Sequence, residues 1–387
     1  MPRPIHCEVS VAALRHNLER VVSYGQKRKN WAVVKANAYG HGLAEAVSAF
    51  ALADGLALVE FDYAVQLRKL GWRKPILMLE GAFSYADTEL ARRQNLSLVV
   101  HQVRQLQWLE QSAVSAPVSV WLKLNTGMNR LGFSENSIET LKHTLTSGGA
   151  RLRHGIDVIG AMTHFANSDV HLANAHLMPE AQIETLLKML KALDGIEIDA
   201  LSISNSSAIL GYTDLDQVLT QHLGRVDIWQ RPGIMLYGAT PYADLATQSS
   251  INFDLKPAMA LSAEVLSVQQ VQAGESIGYG SRFVAKQAMT AAVIACGYAD
   301  GYPRQAPDGT PVMIDSVRCP LTGRVSMDMM VVDVSAVPNC TEGSIAQLWG
   351  AQLPIDEVAQ MAGTIGYELM CAVAARVERR RIESFLS

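Results

Sequence analysis

The chain reads as an α/β protein, an N-terminal (β/α)8 barrel followed by a mostly antiparallel β domain. Two observations predict this. Up to about residue 240, short apolar runs alternate with amphipathic helical segments, and about eight such units fit the length of a closed parallel barrel. Beyond Pro241 the texture changes to alternating stretches rich in Val, Leu and Ser, divided by turn pairs such as Ala273-Gly274, Asp308-Gly309 and Pro338-Asn339. At 387 residues, two domains are expected. They are assigned to 1–240 and 241–387, the first few residues being free to pack with the β domain.

The elements follow in order. Helical periodicity marks Val11–Ser23, Leu43–Leu52, Asp62–Leu70, Val103–Gln111 and Glu180–Leu193. Between them, strand runs are predicted at Trp31–Val34, Gly55–Val59, Pro75–Leu79, Ser97–Val100, Val118–Leu124, Val158–Thr163, Ala200–Ile203 and Val226–Ile228. The polar, aperiodic stretch Tyr242–Asn252 reads as a linker. Ala258–Val271, Met289–Ala295, Val312–Ile314 and Met330–Val334 then read as strands of the β domain.

Composition removes several function classes. The chain is 49% hydrophobic and 18% charged, with a formal charge of −4 and no basic block, so it carries no footprint for nucleic acid. No stretch is apolar for long enough to cross a bilayer, and the N-terminus lacks the apolar run of a signal peptide. Cys7, Cys296, Cys319, Cys340 and Cys371 are scattered, with no C-x-x-C pair. That pattern predicts no metal site and fits buried thiols in a reducing cytoplasm.

The chemical signal lies at the predicted strand ends, which share one mouth in a barrel of this kind. Lys35 follows Trp31–Val34. Lys123 follows Val118–Leu122, with Arg130 shortly after. His164 follows Val158–Thr163, Asn205 and Ser206 follow Leu201–Ser204, and Arg231-Pro232-Gly233-Ile234 follows Val226–Trp229. Each has a plain reading: a snorkelling lysine, a satisfied core histidine, a solvated arginine, a glycine turn. Five such endings together ask for more. A lysine at the tip of a buried strand is driven toward the free amine that Schiff-base chemistry requires. An aldehyde cofactor is its natural partner, usually pyridoxal 5'-phosphate (PLP). Ser206, Tyr39 and the backbone amides of Gly233 and Ile234 supply donors of the kind a phosphate needs.

The run V-V-K-A-N-A-Y-G-H-G at 33–42 is similar to the PLP-lysine motif of the alanine racemase family. The resemblance continues through K-L-N-T-G-M-N-R-L-G (123–132), M-T-H-F-A (162–166), S-N-S-S-A (204–208) and R-P-G-I-M-L-Y-G (231–238). It extends through I-G-Y-G (277–280), G-Y-A-D-G-Y-P-R (297–304), G-R-V-S-M-D (323–328) and G-Y-E-L (366–369). It implies a TIM barrel with an appended β domain and racemisation of alanine by two bases on opposite faces of the substrate. Lys35 would carry the cofactor and act as one base. Tyr279, donated by the partner of a homodimer, would be the other, with His164 as its helping neighbour. Arg231 would face the pyridine nitrogen. Because arginine has no acceptor, that nitrogen would stay unprotonated and the cofactor would be a weaker electron sink. Arg130 would meet the cofactor and the substrate carboxylate, with Lys123 carbamylated to orient it. Tyr39, Asn205, Ser206, Gly233, Ile234 and Tyr367 would hold the cofactor. Met327 would present its N–H to the substrate, while Tyr298, Arg304 and Asp328 would line the access corridor. Ser326, where some members carry Cys, is given no catalytic role, and the ending Arg376–Arg381 departs from the R-V-P common in the family.

The resemblance also implies a role in D-alanine biosynthesis for peptidoglycan or in alanine catabolism. The competing readings are a decarboxylase of the same class, a broad-specificity amino-acid racemase, a non-catalytic PLP-binding protein and a Schiff-base aldolase. Arg231 disfavours the first, since such decarboxylases place an acid at the pyridine nitrogen. The missing export signal disfavours the second. The residues beyond 240 disfavour the third, and the phosphate-facing pattern with Tyr367 the fourth.

Overall fold

A computed structural model describes residues 3–25, 28–112, 116–170, 177–224, 226–242 and 245–385. The chain forms two compact units. One comprises Leu18–Ala38 and Phe50–Leu236, the other Met1–Asn17, Tyr39–Ala49 and Tyr237–Ser387.

In the second unit, β1 (Ile5–Ser10) belongs to the sheet of that unit, described below. The first unit is the barrel. Its strands are β2 (Lys29–Val33), β3 (Gly55–Leu58), β4 (Ile76–Met78), β5 (Ser97–Val100), β6 (Val118–Lys123), β7 (Ile156–Met162), β8 (Ala200–Ser202) and β9 (Asp227–Gln230). All neighbours are parallel, and β2 pairs with β9 to close the ring. The strands carry near-continuous apolar runs because they are buried on both faces. Trp31 stacks on Trp229 at 4.3 Å, with Trp121 edge-on to both, filling the barrel interior. Gly55 makes room for this cluster, since a Cβ there would stand 2.2 Å from the Trp31 ring.

The second unit is built on β10 (Met259–Val271), a strand of 13 residues that pairs with three others. The short hairpin β11 (Ser276–Ile277) and β12 (Phe283–Val284) stands beside β13 (Met289–Ile294), β14 (Pro311–Ile314), β15 (Val317–Thr322), β16 (Met330–Asp333), β17 (Ile345–Trp349) and β18 (Glu378–Ile382). The order β13-β16-β15-β14-β17-β10 returns to β13, so six strands close on themselves. β1 and β18 extend the edge beyond β10, and β1–β18 is the parallel pair of this sheet. Register shifts at Leu261/Ser262 and Val265/Ser267 let β10 serve both sides.

The fold class is as the alternation predicts, while the sequence reading leaves out β1, β15, β17 and β18 and several helices, among them Ile138–Ser147 and Leu215–Leu223. Lys35 does not lead straight into a regular helix, as described below. The stretch expected as a linker carries short helical turns at Leu245–Gln248 and Ile251–Phe253, tied by Thr240 Oγ1 donating to the Gln248 carbonyl at 2.7 Å; residues 243–244 lie outside the described residues. The helix Tyr85–Gln94 escaped the periodicity because it is largely polar. Its start is set by a capping box, Ser84 with Asp87.

Candidate active site

The strand endings of the barrel unit carry polar residues all the way round. To Lys35, Lys123, His164, Asn205 and Arg231 the structure adds Glu60 after β3, Glu80 after β4 and His101 after β5. Sequence reading missed these three. Their signal was the same as for the others: a polar side chain directly beyond an apolar run.

Lys35 opens a turn of unusual hand. Ala36, Asn37, Ala38 and Tyr39 all have φ between 51° and 54°, and ψ is near 50° at the first three. This is a turn of left-handed helix without glycine. Such residues are disfavoured by about 1–2 kcal/mol each, and they persist only where the surroundings over-determine them. The Ala38 N–H donates to Val34 O at 2.9 Å, and the Ala36 N–H to Glu60 Oε1 at 2.9 Å. Lys35 itself is exposed. The expectation of a buried lysine at the strand tip is therefore corrected, because the turn carries the side chain out of the sheet.

Arg231 is clamped. Its Nη1 donates to Ser202 Oγ at 2.6 Å, and its Nη2 reaches Thr163 O (2.5 Å), Ile203 O (3.3 Å) and His164 Nδ1 (3.4 Å). These bonds leave Nε–H and one Nη1–H without an acceptor among the described residues. Burial, and then Arg130, lower the guanidinium to about 9, so it stays charged at neutral pH. His164 is pushed well below the usual imidazole range by burial, then by Arg231, Lys123, Arg130 and Lys35. It is neutral at pH 7 and accepts at Nδ1, which places its proton on Nε2. Its carbonyl is held by Gln182 Nε2 at 3.1 Å, and the same amide nitrogen bonds Thr126 Oγ1.

Lys123 is lowered to about 8, by burial first and then by Arg231 and Arg130, with Glu80 opposing. Lys35, Lys123, Arg130 and Arg231 thus sit within electrostatic reach of one another at the barrel mouth, around a neutral histidine.

Ser206 is buried, and its Oγ accepts from Gly233 N at 2.9 Å and Met235 N at 3.5 Å. Its own O–H is left to donate elsewhere. Ile234 begins the 3-10 turn Ile234–Tyr237. Asn205 is the N-cap of Ser206–Gly211; its Oδ1 accepts from Ala208 N, Ser207 Oγ and Ser168 Oγ. That cap fixes Ser206.

The remaining residues lie in the other unit, in two groups. Tyr39 is buried, stacks on Tyr237 at 4.6 Å and is tilted against Tyr367 at 5.9 Å; burial pushes its phenol above the usual range. Gly40 follows with φ +79°, and a Cβ there would lie 2.3 Å from the Met370 carbonyl. Arg379 Nε donates to the Gly40 carbonyl at 2.9 Å, which gives the unusual chain ending a task.

The second group sits on loops. Tyr279 is 73% exposed, in a turn between Gly278 and Gly280, both at positive φ. Met327 is 53% exposed. Its carbonyl accepts from Ala299 N, as the Ser326 carbonyl does from Tyr298 N, both at 3.0 Å, so the two loops are pinned together. Arg376 bridges the buried Asp300 (2.7 Å) and Asp328 (2.8 Å), and Arg3 reaches both acids from the other side. Arg304 is exposed and makes no hydrogen bond or ion pair among the described residues. No helix among the described residues is long and apolar enough to cross a membrane.

Comparison with known proteins places the chain. Residues 9–241 match the family model for the alanine racemase N-terminal domain, and 258–381 that for the C-terminal domain. The chain is 47% identical over 378 residues to the alanine racemase of Janthinobacterium sp. (strain Marseille), covering 98% of this chain and 99% of the relative. Its fold matches the biosynthetic alanine racemase of Pseudomonas aeruginosa with a TM-score of 0.87 at 40% identity, over 98% and 99% of the two chains. It matches the Bacillus anthracis alanine racemase with bound L-Ala-P at 0.83 and 28% identity, over 99% and 96%. From its first barrel strand to its last sheet strand, the chain belongs to the alanine racemase family of isomerases.

Proposed function

We propose that this protein interconverts L- and D-alanine with PLP bound at the barrel mouth, Lys35 as anchor and first base, and Tyr279 of a second copy as the other base. The observation that carries the reading is the clamped Arg231. Four contacts fix its guanidinium and leave Nε–H among the donors still able to reach a ligand; a group with no acceptor suits an unprotonated ring nitrogen. A carboxylate in that place would favour the opposite, protonated form. When bound, PLP withdraws electrons from the substrate Cα and so acidifies its proton.

The other residues fit such a group. Ser206 has its O–H free for a phosphate oxygen because Gly233 N and Met235 N already fill its acceptor sites. Ile234, Tyr39 and Tyr367 supply further donors, and Asn205 acts by holding Ser206 in place. The cationic cluster favours anions, here a phosphate and a substrate carboxylate. Arg130 serves the carboxylate, together with the Met327 N–H. Proton transfer on opposite faces needs two groups. A phenol is a weak base at its ordinary pKa of about 10, and the His164 Nε2–H would stabilise its anion.

Lys123, lowered to about 8, holds an appreciable fraction of neutral amine near neutral pH. That amine attacks carbon dioxide, the N–C bond forms and a proton leaves to solvent. The resulting carbamate would pair with Arg130 and replace repulsion by attraction. Intact mass in bicarbonate and in CO2-depleted buffer tests it; an unmodified lysine in both would end the idea.

Tyr279 and Met327, both exposed on one chain, support a homodimer in which each β domain completes the other's site. Tyr298, Arg304 and Asp328 then line the access corridor, and Tyr298 and Tyr367 keep the pocket to alanine's size. The domains are proposed at 1–240 and 241–387, and the compartment as the cytoplasm, which suits five free thiols. The product would supply peptidoglycan synthesis, or the enzyme would serve alanine catabolism.

The test is a visible spectrum of the purified protein before and after borohydride, with peptide mapping and a D/L-alanine exchange assay. A band lost on reduction, with the label on Lys35, and racemisation of alanine are expected. No band after incubation with PLP would overturn the reading.

A further inference from the structure

We propose that Glu60 is a positioning residue that holds the Lys35 amine on target by fixing the left-handed turn behind it. This rests on the reading of Lys35 as cofactor anchor. Glu60 is the N-cap residue of the helix Phe61–Lys69, yet its side chain makes no bond to that helix. Its Oε1 accepts the Ala36 N–H at 2.9 Å, and its Oε2 the N–H of its own neighbour Val59 at 3.3 Å. A residue in this position ordinarily satisfies its own helix's free amides. Here the carboxylate crosses from the end of β3 to the end of β2 instead.

The amide it meets belongs to the peptide unit joining Lys35 to Ala36. Rotation of that unit swings the Lys35 Cα–Cβ vector. The Ala38 N–H to Val34 O bond braces the same turn from the end of β2. Ala36, Asn37 and Ala38 have no glycine's freedom and no preference of their own for positive φ, Asn apart. Without the carboxylate, a right-handed path becomes competitive, and Lys35 would sample several directions. Glu60 is a positioning residue, not a catalytic one, because it acts through the backbone.

Glu60→Ala and Glu60→Gln separate the effect. Amide hydrogen exchange over residues 34–40 and the rate of borohydride-trapped labelling of Lys35 by added PLP are both measured, alongside kcat and KM. Glu60→Ala is expected to speed exchange at Ala36 and to slow labelling and lower kcat by about tenfold, the loss of one charge-assisted bond, with KM and melting temperature little changed. Glu60→Gln keeps the acceptor oxygen and is expected to recover most of both. Unchanged exchange and labelling in Glu60→Ala would overturn the inference, and so would a Gln variant as impaired as the Ala variant. Absence of labelling on Lys35 in the unmodified protein would instead overturn the reading of the anchor, while the exchange result would still report on the turn.

Discussion

Replacing Asp356 by Asn should make the protein more stable at alkaline pH and flatten its pH dependence. Asp356 is 8% exposed and has no cationic partner among the described residues; its Oδ2 accepts the Thr240 N–H at 3.0 Å, and its Oδ1 packs where a Cβ on Gly366 would be 2.8 Å away. Burial raises its carboxyl from 3.8 to about 7, the Thr240 bond opposing. A folded value above the unfolded one means the native state binds the proton more tightly. Stability from this group is therefore complete below about pH 4 and is lost as pH rises through about 7. A displacement of that size corresponds to about 4 kcal/mol. That is an upper figure, because the residue sits in the first turn of Ile355–Met361, where the helix amides favour a negative charge.

Asn keeps the acceptor for Thr240 and removes the buried charge. The holoenzyme and the variant should be melted side by side from pH 5.5 to 8.5 by scanning fluorimetry. The variant is expected to gain on the wild type as pH rises from 5.5 to about 7 and to melt several degrees higher at pH 8.5. Parallel curves for the two proteins, or a variant that is less stable at pH 8.5, would refute the reasoning.

Arg376→Ala leaves the buried Asp300 carboxylate with Gly297 N and a longer contact to Arg3 at 3.5 Å; it should cost about 1–3 kcal/mol and raise KM for alanine, read from melting and steady-state kinetics. Tyr279→Ala should slow exchange of the α-proton with solvent far more for one enantiomer than for the other; equal losses, measured by deuterium uptake into each enantiomer, would count against two bases. Binding of inorganic phosphate to the cofactor-free protein near pH 8 should take up protons, because an anion favours the charged form of Lys123, which is lowered to about 8. Calorimetry in buffers of different ionisation enthalpy reads the uptake, and a heat independent of buffer would contradict it.

What the sequence discloses depends on whether a residue's task is local. Lys35, Lys123, His164 and Arg231 are legible because each stands directly beyond an apolar run, where a charge is out of place. Glu60 stands in the same position but also just before Phe61 and Asp62, so it passes for an ordinary helix start. The left-handed turn is invisible: Ala-Asn-Ala-Tyr contains no glycine, and the bond to its first amide comes from another strand end. Arg376 is hidden for a different reason, since its partners lie 76 and 48 residues away. A cationic mouth repels its own members, as the lowering of Lys123, Arg231 and His164 by their neighbours records. Such a cluster does not hold its shape through mutual attraction before an anion arrives. Its geometry must come from backbone and polar groups placed around it, and Glu60 at the turn, Gln182 behind His164 and the Ser202 and Thr163 clamp on Arg231 are the groups placed to supply it.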